Sequence, residues 1–268
     1  MSFDAEEFVR YQIANAEPRR HPFPHFFTSP VFPPDYYADL LARLPPTEWM
    51  KPIDETGSVK PVGSAKAQAY PSRFIADLAE IEEREQESQP AAHFWGELGR
   101  WMMSDRFRAL IMEKFRPDIA QRFGPGSALS TDIDARFVRD FTNYSIGPHT
   151  DTPRKLVSLL FYLPRDESMR QLGTSIYAPR DASFRCEGTR HHSYQGFKRV
   201  ATLPYVPNAL FAFFKTDNSF HGVDPIAERD VERNLLLYNI YLQAVVTRRS
   251  ALRWPWQRGN TVARYKTG

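Results

Sequence analysis

The sequence contains only one cysteine, Cys186, among its 268 residues. A single thiol cannot form a disulfide within the chain, and Cys186 has no CxxC neighbour of the kind that marks redox or zinc motifs. A chain without disulfides suits a reducing compartment. We therefore expect a cytoplasmic protein in which Cys186 has no special chemical role.

Long apolar segments and export signals are missing as well. No apolar run approaches the roughly 20 residues that a membrane-spanning helix needs. The opening Met-Ser-Phe-Asp-Ala-Glu-Glu-Phe has neither the basic nor the apolar region of a signal peptide. The sequence accordingly predicts no transmembrane segment and no secretion.

Excess basic charge is confined to one end of the chain. Of 35 bases and 32 acids, six bases and no acids follow Thr247, so the preceding residues carry 29 bases against 32 acids. This distribution predicts a basic extension over residues 247–268, which either packs on the domain through Trp254 and Trp256 or contacts an anionic surface. No nucleic-acid-binding motif accompanies it, and we expect no nucleic acid partner.

Phosphate loops, dinucleotide fingerprints, serine elbows and zinc-finger spacings are likewise absent. The composition is that of an ordinary folded protein, with 42% hydrophobic, 14% aromatic and 25% charged residues. A chain of this length fits one large domain. We predict a single structural domain made of an N-terminal helical and loop region over residues 1–126, a core over residues 127–246 and the basic extension.

The spacing of apolar residues changes once along the chain. Before Gly124 they recur mostly every three or four residues, as in helices, with a break near Ser104. Two stretches of this part, residues 22–27 and 46–75, are interpreted as an extended segment and a surface loop. After Gly124, short β-rich runs separated by turn residues predict strands over residues 134–141, 155–163, 174–177, 198–205, 209–215 and 233–242. This order predicts a mainly β fold with N-terminal helices, a double-stranded β-helix (jelly roll) buttressed by helices on its outer face.

Three side chains of the β region form a candidate metal site. His149 and Asp151 lie two positions apart, so they project to one face of an extended segment. His221 lies 72 positions beyond His149, where a rolled sheet would bring it alongside the first pair. Two imidazoles and one carboxylate can occupy one face of an iron(II) octahedron and leave the opposite face open.

Arg233 opens the most strand-like run of the sequence, Arg-Asn-Leu-Leu-Leu-Tyr-Asn-Ile-Tyr-Leu. An unpaired guanidinium buried in such a strand is costly, so Arg233 needs an anionic partner. A ligand carboxylate held bidentately by the planar guanidinium would provide one. An ion pair with Glu228 or Glu232 at the surface is the alternative.

Residues 143–242, which carry this HxD pair, the later histidine and the arginine, resemble the 2-oxoglutarate- and iron(II)-dependent dioxygenase superfamily, and within it the prolyl-hydroxylase-like branch. The resemblance implies that His149, Asp151 and His221 bind Fe(II). It implies that Arg233 holds the C5 carboxylate of 2-oxoglutarate, the cosubstrate, and that Tyr144 contributes a further cosubstrate contact. The oxidant would be O₂.

By the same resemblance, the expected activity is hydroxylation of a C–H bond, with succinate and CO₂ as co-products. The substrate is expected to be a small molecule or a peptidyl residue, because selectivity in such enzymes lies in loops. Two other interpretations remain open: a zinc hydrolase using the same three ligands, and a non-catalytic cupin-like barrel that binds a small molecule.

His191 and His192 form a second histidine pair, within the run 181–197. Adjacent residues of an extended chain project to opposite faces, so the two could not easily bind one metal ion. The run is interpreted as a solvent-exposed loop, with contact to a substrate as the alternative.

Overall fold

The computed structural model describes residues 4–56, 72–84, 89–188, 190–246 and 263–264. Except for its residues 263–264, the predicted basic extension lies outside these ranges, together with its two tryptophans. Within the described ranges, no helix is both long enough and apolar enough to cross a bilayer.

Helices dominate the first half of the chain, as its apolar spacing predicts. They are α1 (Ala5–Asn15), α2 (Pro34–Ala42), α3 (Leu78–Glu83), α4 (Pro90–Met102), α5 (Asp105–Lys114) and α6 (Arg116–Phe123). The predicted break near Ser104 is confirmed: its side chain accepts a hydrogen bond from the backbone N–H of Phe107 at 3.2 Å and caps the start of α5.

Antiparallel strands make up the second half and a few segments of the first. They are β1 (His25–Thr28), β2 (Lys51–Pro52), β3 (Arg73–Asp77), β4 (Ala128–Phe141), β5 (Ile146–His149), β6 (Lys155–Tyr162), β7 (Ser175–Pro179), β8 (Phe197–Thr202), β9 (Ala209–Phe214), β10 (His221–Val223), β11 (Glu232–Val246) and β12 (Ala263–Arg264).

The strands form two sheets whose order defines the fold. The major sheet runs β1-β9-β6-β11-β4-β3-β2, with β12 also paired to β11, and the minor sheet runs β5-β10-β7-β8. From β4 to β11 the chain therefore passes repeatedly between the two sheets, which is the winding of a double-stranded β-helix. The predicted fold class is confirmed.

Three strands of the major sheet come from the N-terminal region, which the sequence pattern assigned to helices, an extended segment and a loop. β1 extends one edge by pairing with β9, and β3 extends the other edge by pairing with β4. These strands are only two to five residues long, too short for a period of two to be recognised in the sequence. The N-terminal region therefore enlarges the sheet as well as covering it.

The alternation of side chains along β11 separates two cores. Leu236, Tyr238 and Ile240 point to the outer face of the major sheet, where they pack under the helices. There the buried Trp95 of α4 meets Phe137 edge to face, with ring centroids 5.4 Å apart. The intervening residues of β11, beginning with Arg233, face the space between the two sheets, which contains the candidate site.

Candidate metal centre and anion pocket

The structure brings the three predicted ligands together at one end of the minor sheet. His149 ends β5 and His221 begins β10, and the two are directly opposite each other in the antiparallel pair. Their ring centroids lie 4.3 Å apart. Asp151 follows β5, with its Oδ2 atom 3.9 Å from Nε2 of His221. One potential ligand atom from each residue lies within 4.8 Å of the others, which is compact enough to share one metal ion.

Backbone carbonyls orient both imidazoles in the same way. Nδ1 of His149 lies 3.0 Å from the carbonyl oxygen of Gly147, and Nδ1 of His221 lies 3.0 Å from that of Ser219. A carbonyl can only accept, so Nδ1 carries the proton and donates it, while Nε2 keeps its lone pair. This is the arrangement in which ligating histidines are found around bound metals.

The protonation states suit a cation. Burial lowers the pKa of His149 well below its usual value, and the neighbouring His221 lowers it further. Burial also lowers the pKa of His221, although Asp151 partly opposes the shift. For Asp151, burial would raise the pKa, but the charge of Lys155 and its hydrogen bond overcome that effect and hold the pKa below its usual range. At neutral pH the three side chains are therefore two neutral imidazoles and a carboxylate.

Two residues of β6 hold the carboxylate in place. Nζ of Lys155 donates to Oδ1 of Asp151 at 3.1 Å, and the hydroxyl of Ser158 donates to Oδ2 at 3.2 Å. Burial would lower the pKa of Lys155, but the carboxylate raises it above its usual value, so the lysine stays charged. Asp151 is thus oriented from the major sheet while the histidines come from the minor sheet.

The loop between β7 and β8 lies across β5 and the residues that follow it, which include His149 and Asp151. The hydroxyl of Thr150 donates to the carbonyl of Cys186 at 2.9 Å, and the N–H of His192 donates to the carbonyl of Pro148 at 2.9 Å. A Cβ atom on Gly188 would lie 2.1 Å from the carbonyl oxygen of Asp151, so the two backbones touch there. We call this segment, residues 184–192 without the undescribed residue 189, the strap.

The two histidines of the strap have different surroundings. This agrees with the prediction that adjacent residues of an extended chain project to opposite faces. The ring of His191 lies 4.7 Å from that of His149, whereas His192 packs edge to face on Phe184 at 5.2 Å. Both are partly buried, whereas the run had been interpreted as a solvent-exposed loop. Neither belongs to the group of three residues that could hold a metal ion.

A cavity of about 150 Å³ adjoins the three candidate ligands. Its walls comprise Arg73, Tyr144, Ile146, His149, Asp151, Lys155, Ser158, Leu160, Thr174, Phe213, His221, Gly222, Val223, Arg233, Leu237 and Asn239. All five residues predicted to form the site, including Tyr144 and Arg233, thus line a single cavity.

Arg233 is fully buried at the start of β11. Its Nη1 donates to Oδ2 of Asp140 at 2.7 Å, and its Nε donates to the carbonyl of Leu172 at 2.6 Å. Nη2 lies 3.5 Å from the hydroxyl of Thr174. The partner of this guanidinium is therefore Asp140, in place of the surface glutamates that were the alternative to a ligand carboxylate.

Sequence reasoning missed Asp140 and Arg73. Arg73 donates to both oxygens of Asp140, at 2.6 and 2.9 Å, and its guanidinium lies 4.2 Å from the ring centroid of the buried Tyr144. Antiparallel pairing of the two predicted strands 134–141 and 233–242 would have placed Asp140 beside Arg233. No comparable signal identifies Arg73, because its strand has only five residues.

The fold and the three converging ligands define a double-stranded β-helix protein with a candidate His/Asp/His metal centre. No protein-family model matches the chain, and no curated protein sequence matches it significantly. Its structure is nevertheless similar to many solved structures.

Three examples illustrate that similarity. A prolyl-4-hydroxylase from Pseudomonas putida is 16% identical, and the match covers 88% of this chain and 97% of the other, with a TM-score of 0.41. The non-heme α-ketoglutarate-dependent epimerase SnoN from nogalamycin biosynthesis is 12% identical over 98% of this chain and 95% of its own, with a TM-score of 0.45. HygX from Streptomyces hygroscopicus, solved with nickel, 2-oxoglutarate and hygromycin B, is 12% identical over 81% and 82%, with a TM-score of 0.46.

Proposed function

We propose that this protein is an Fe(II)- and 2-oxoglutarate-dependent oxygenase that hydroxylates a C–H bond of a small-molecule or peptidyl substrate. The observation that carries the proposal is the convergence of His149, Asp151 and His221 beside a cavity that also contains a buried arginine. Two imidazoles and one carboxylate with open positions are the ligand set of non-haem Fe(II) oxygenases.

The donor set fits a divalent cation. The two histidines keep their Nε2 lone pairs, since Nδ1 of each donates to a backbone carbonyl. Asp151 contributes an ionised oxygen, and the ion pair with Lys155 limits its movement. A bound ferrous ion, together with 2-oxoglutarate and O₂, would supply the oxidant for the C–H bond and yield succinate and CO₂.

The rest of the cavity fits 2-oxoglutarate. Arg233 and Thr174 would hold its C5 carboxylate, and Tyr144 would pack against the cosubstrate. The burial of Arg233 removes competing water and strengthens its interaction with an anion. These residues would bind and orient the cosubstrate, while the metal ligands fix the position of its reacting end.

A zinc hydrolase would need a general base in addition to the metal ligands. Among the described residues that line the cavity, Asp151 is the only acid, and it already belongs to the ligand set. A hydrolase would also leave Arg233 without a function. An oxygenase needs no second acid beside the metal ligands, and it gives Arg233 a role in binding the cosubstrate.

The proposal is tested by measuring 2-oxoglutarate-dependent succinate release with Fe(II) across pools of peptides and metabolites. Wild-type protein is expected to release succinate, and more of it with the pool that contains the substrate. His149→Ala is expected to abolish turnover because the metal loses a ligand. Arg233→Ala is expected mainly to raise the 2-oxoglutarate concentration required. Unchanged kinetics in either variant would contradict the role given to that residue.

A further inference from the structure

The cavity contains more positive charge than Arg233 alone supplies. Arg73 and Arg233 both line it, and both bond the carboxylate of Asp140. The side chains of Arg233 and Asp140 are fully buried, and that of Arg73 is 14% exposed. The two guanidiniums place positive charge on this part of the cavity wall, where it would attract an anionic ligand that enters the cavity.

This charge lies at one end of the cavity. Arg73 on β3 is opposite Asp140 on β4, which is in turn opposite Arg233 on β11, so the three form one row across the sheet. The metal ligands lie towards the other end. Asp151 accepts a hydrogen bond from Ser158 on β6. Ser158 is opposite Asn239 on β11, six residues beyond Arg233 along that strand.

Both guanidiniums are positioned in advance. Nε and Nη2 of Arg73 donate hydrogen bonds to the two oxygens of Asp140, and its guanidinium lies over the ring of Tyr144. The Nε atom of Arg233 is fixed by the carbonyl of Leu172. Groups that are already ordered lose little conformational entropy when a ligand binds, which favours tight binding of an anion that reaches them.

We propose that Arg73 is a second anion-binding residue of this cavity, so that Arg73 and Arg233, bridged by Asp140, together recognise the distal carboxylate of a dicarboxylic 2-oxo acid. The inference rests on the proposed function, in which that acid is 2-oxoglutarate. Apolar side chains line the cavity beside these groups and suit the methylene carbons of such a ligand: Ile146, Leu160, Phe213, Val223 and Leu237.

Calorimetric titration of Mn(II)-loaded protein with two acids tests this role. 2-Oxoglutarate has the distal carboxylate, whereas 2-oxobutyrate keeps the 2-oxo acid group and lacks it. Arg73→Gln is expected to raise the Kd for 2-oxoglutarate by about 10- to 100-fold, the effect of losing a charge-assisted hydrogen bond. The Kd for 2-oxobutyrate should not change. Arg73→Lys should give an intermediate Kd for 2-oxoglutarate, because lysine keeps the charge and loses the planar fork.

Arg136→Gln is the matched control. Arg136 also belongs to the inner face of the major sheet and pairs with an aspartate of β3, Asp77, at 2.9 Å, but it does not line the cavity. Both Kd values should equal those of the wild type in this variant.

The outcomes separate the inference from the function on which it rests. If the Mn(II)-loaded wild type binds neither acid, the proposed function is refuted and the inference falls with it. If the wild type prefers 2-oxoglutarate and Arg73→Gln keeps the same preference, only the inference is overturned. Equal weakening of both acids would also overturn it, since that result indicates a structural role for Arg73. Should Arg73→Gln fail to bind Mn(II), the preference measured for Arg73→Lys decides.

Discussion

Replacing Gly188 with alanine should weaken metal binding by displacing the backbone of Asp151. Gly188 has φ of +147°, which L-residues rarely adopt, and an added Cβ would lie 2.1 Å from the carbonyl oxygen of Asp151. An ordinary C···O contact is about 3.3 Å, so the two backbones must separate by roughly 1 Å. Metal–ligand distances tolerate only about 0.2 Å of variation. A shift of the Asp151 backbone therefore displaces the carboxylate from the position that the two histidines require.

The expected result is a 10- to 100-fold rise in the Kd for Fe(II), about the effect of disturbing a group that orients a ligand. Anaerobic calorimetry measures it, with far-UV circular dichroism to show that the fold is retained. Gly196→Ala is the matched control, because a Cβ at this nearby loop position meets nothing within 4 Å. An unchanged Kd for Gly188→Ala in a folded protein would show that contact with the strap does not hold Asp151 in place.

Three further predictions concern stability. Divalent metal at about 100 times its Kd should stabilise the protein by about 2.7 kcal/mol, and thermal unfolding should show no such shift in His149→Ala. Burial places the folded-state pKa of His149 and His221 below their usual 6.5, so below that pH the unfolded chain binds more protons and metal-free stability falls as pH decreases. The free energy of unfolding changes by at most about 1.4 kcal/mol per pH unit for each histidine. Urea unfolding between pH 7 and pH 5 should show a smaller pH dependence in His149→Gln than in the wild type. An equal pH dependence would contradict the lowered pKa of His149. Trp95→Ala should lower the free energy of unfolding by about 3–5 kcal/mol, because a buried ring against Phe137 is lost, while Fe(II) affinity at 20 °C, measured by calorimetry, stays that of the wild type. A loss of affinity there would show that the helical layer shapes the metal site directly.

The long elements and the HxD pair were predictable because each depends on local periodicity. Strands β4, β6, β9 and β11 repeat apolar residues over six or more positions, and the HxD spacing by itself sets two side chains on one face. The position of His221 was expected from its place four strands downstream of the HxD segment in a rolled sheet, although neither β5 nor β10 was itself among the predicted strands.

The anion pocket and the strap were less predictable because they depend on tertiary contacts. Arg73 and Asp140 are separated by 67 positions, and only the pairing of β3 with β4 brings them together. The strap has no periodic sequence pattern. Its contact with Asp151 is made by backbone atoms at Gly188, and the order of side chains in a sequence does not predict such a contact. In both cases the local sequence pattern does not indicate the contact, and the tertiary fold determines its geometry.

Anaerobic titration with Fe(II) followed by 2-oxoglutarate shows whether His149, Asp151 and His221 form an iron site that accepts the cosubstrate. If the two histidines and the aspartate hold a ferrous ion that 2-oxoglutarate chelates, a weak visible metal-to-ligand charge-transfer band should develop in the wild type, and it should be absent in His149→Ala. If wild-type protein binds Fe(II) and develops no band with excess 2-oxoglutarate, the proposed 2-oxoglutarate-dependent function is wrong.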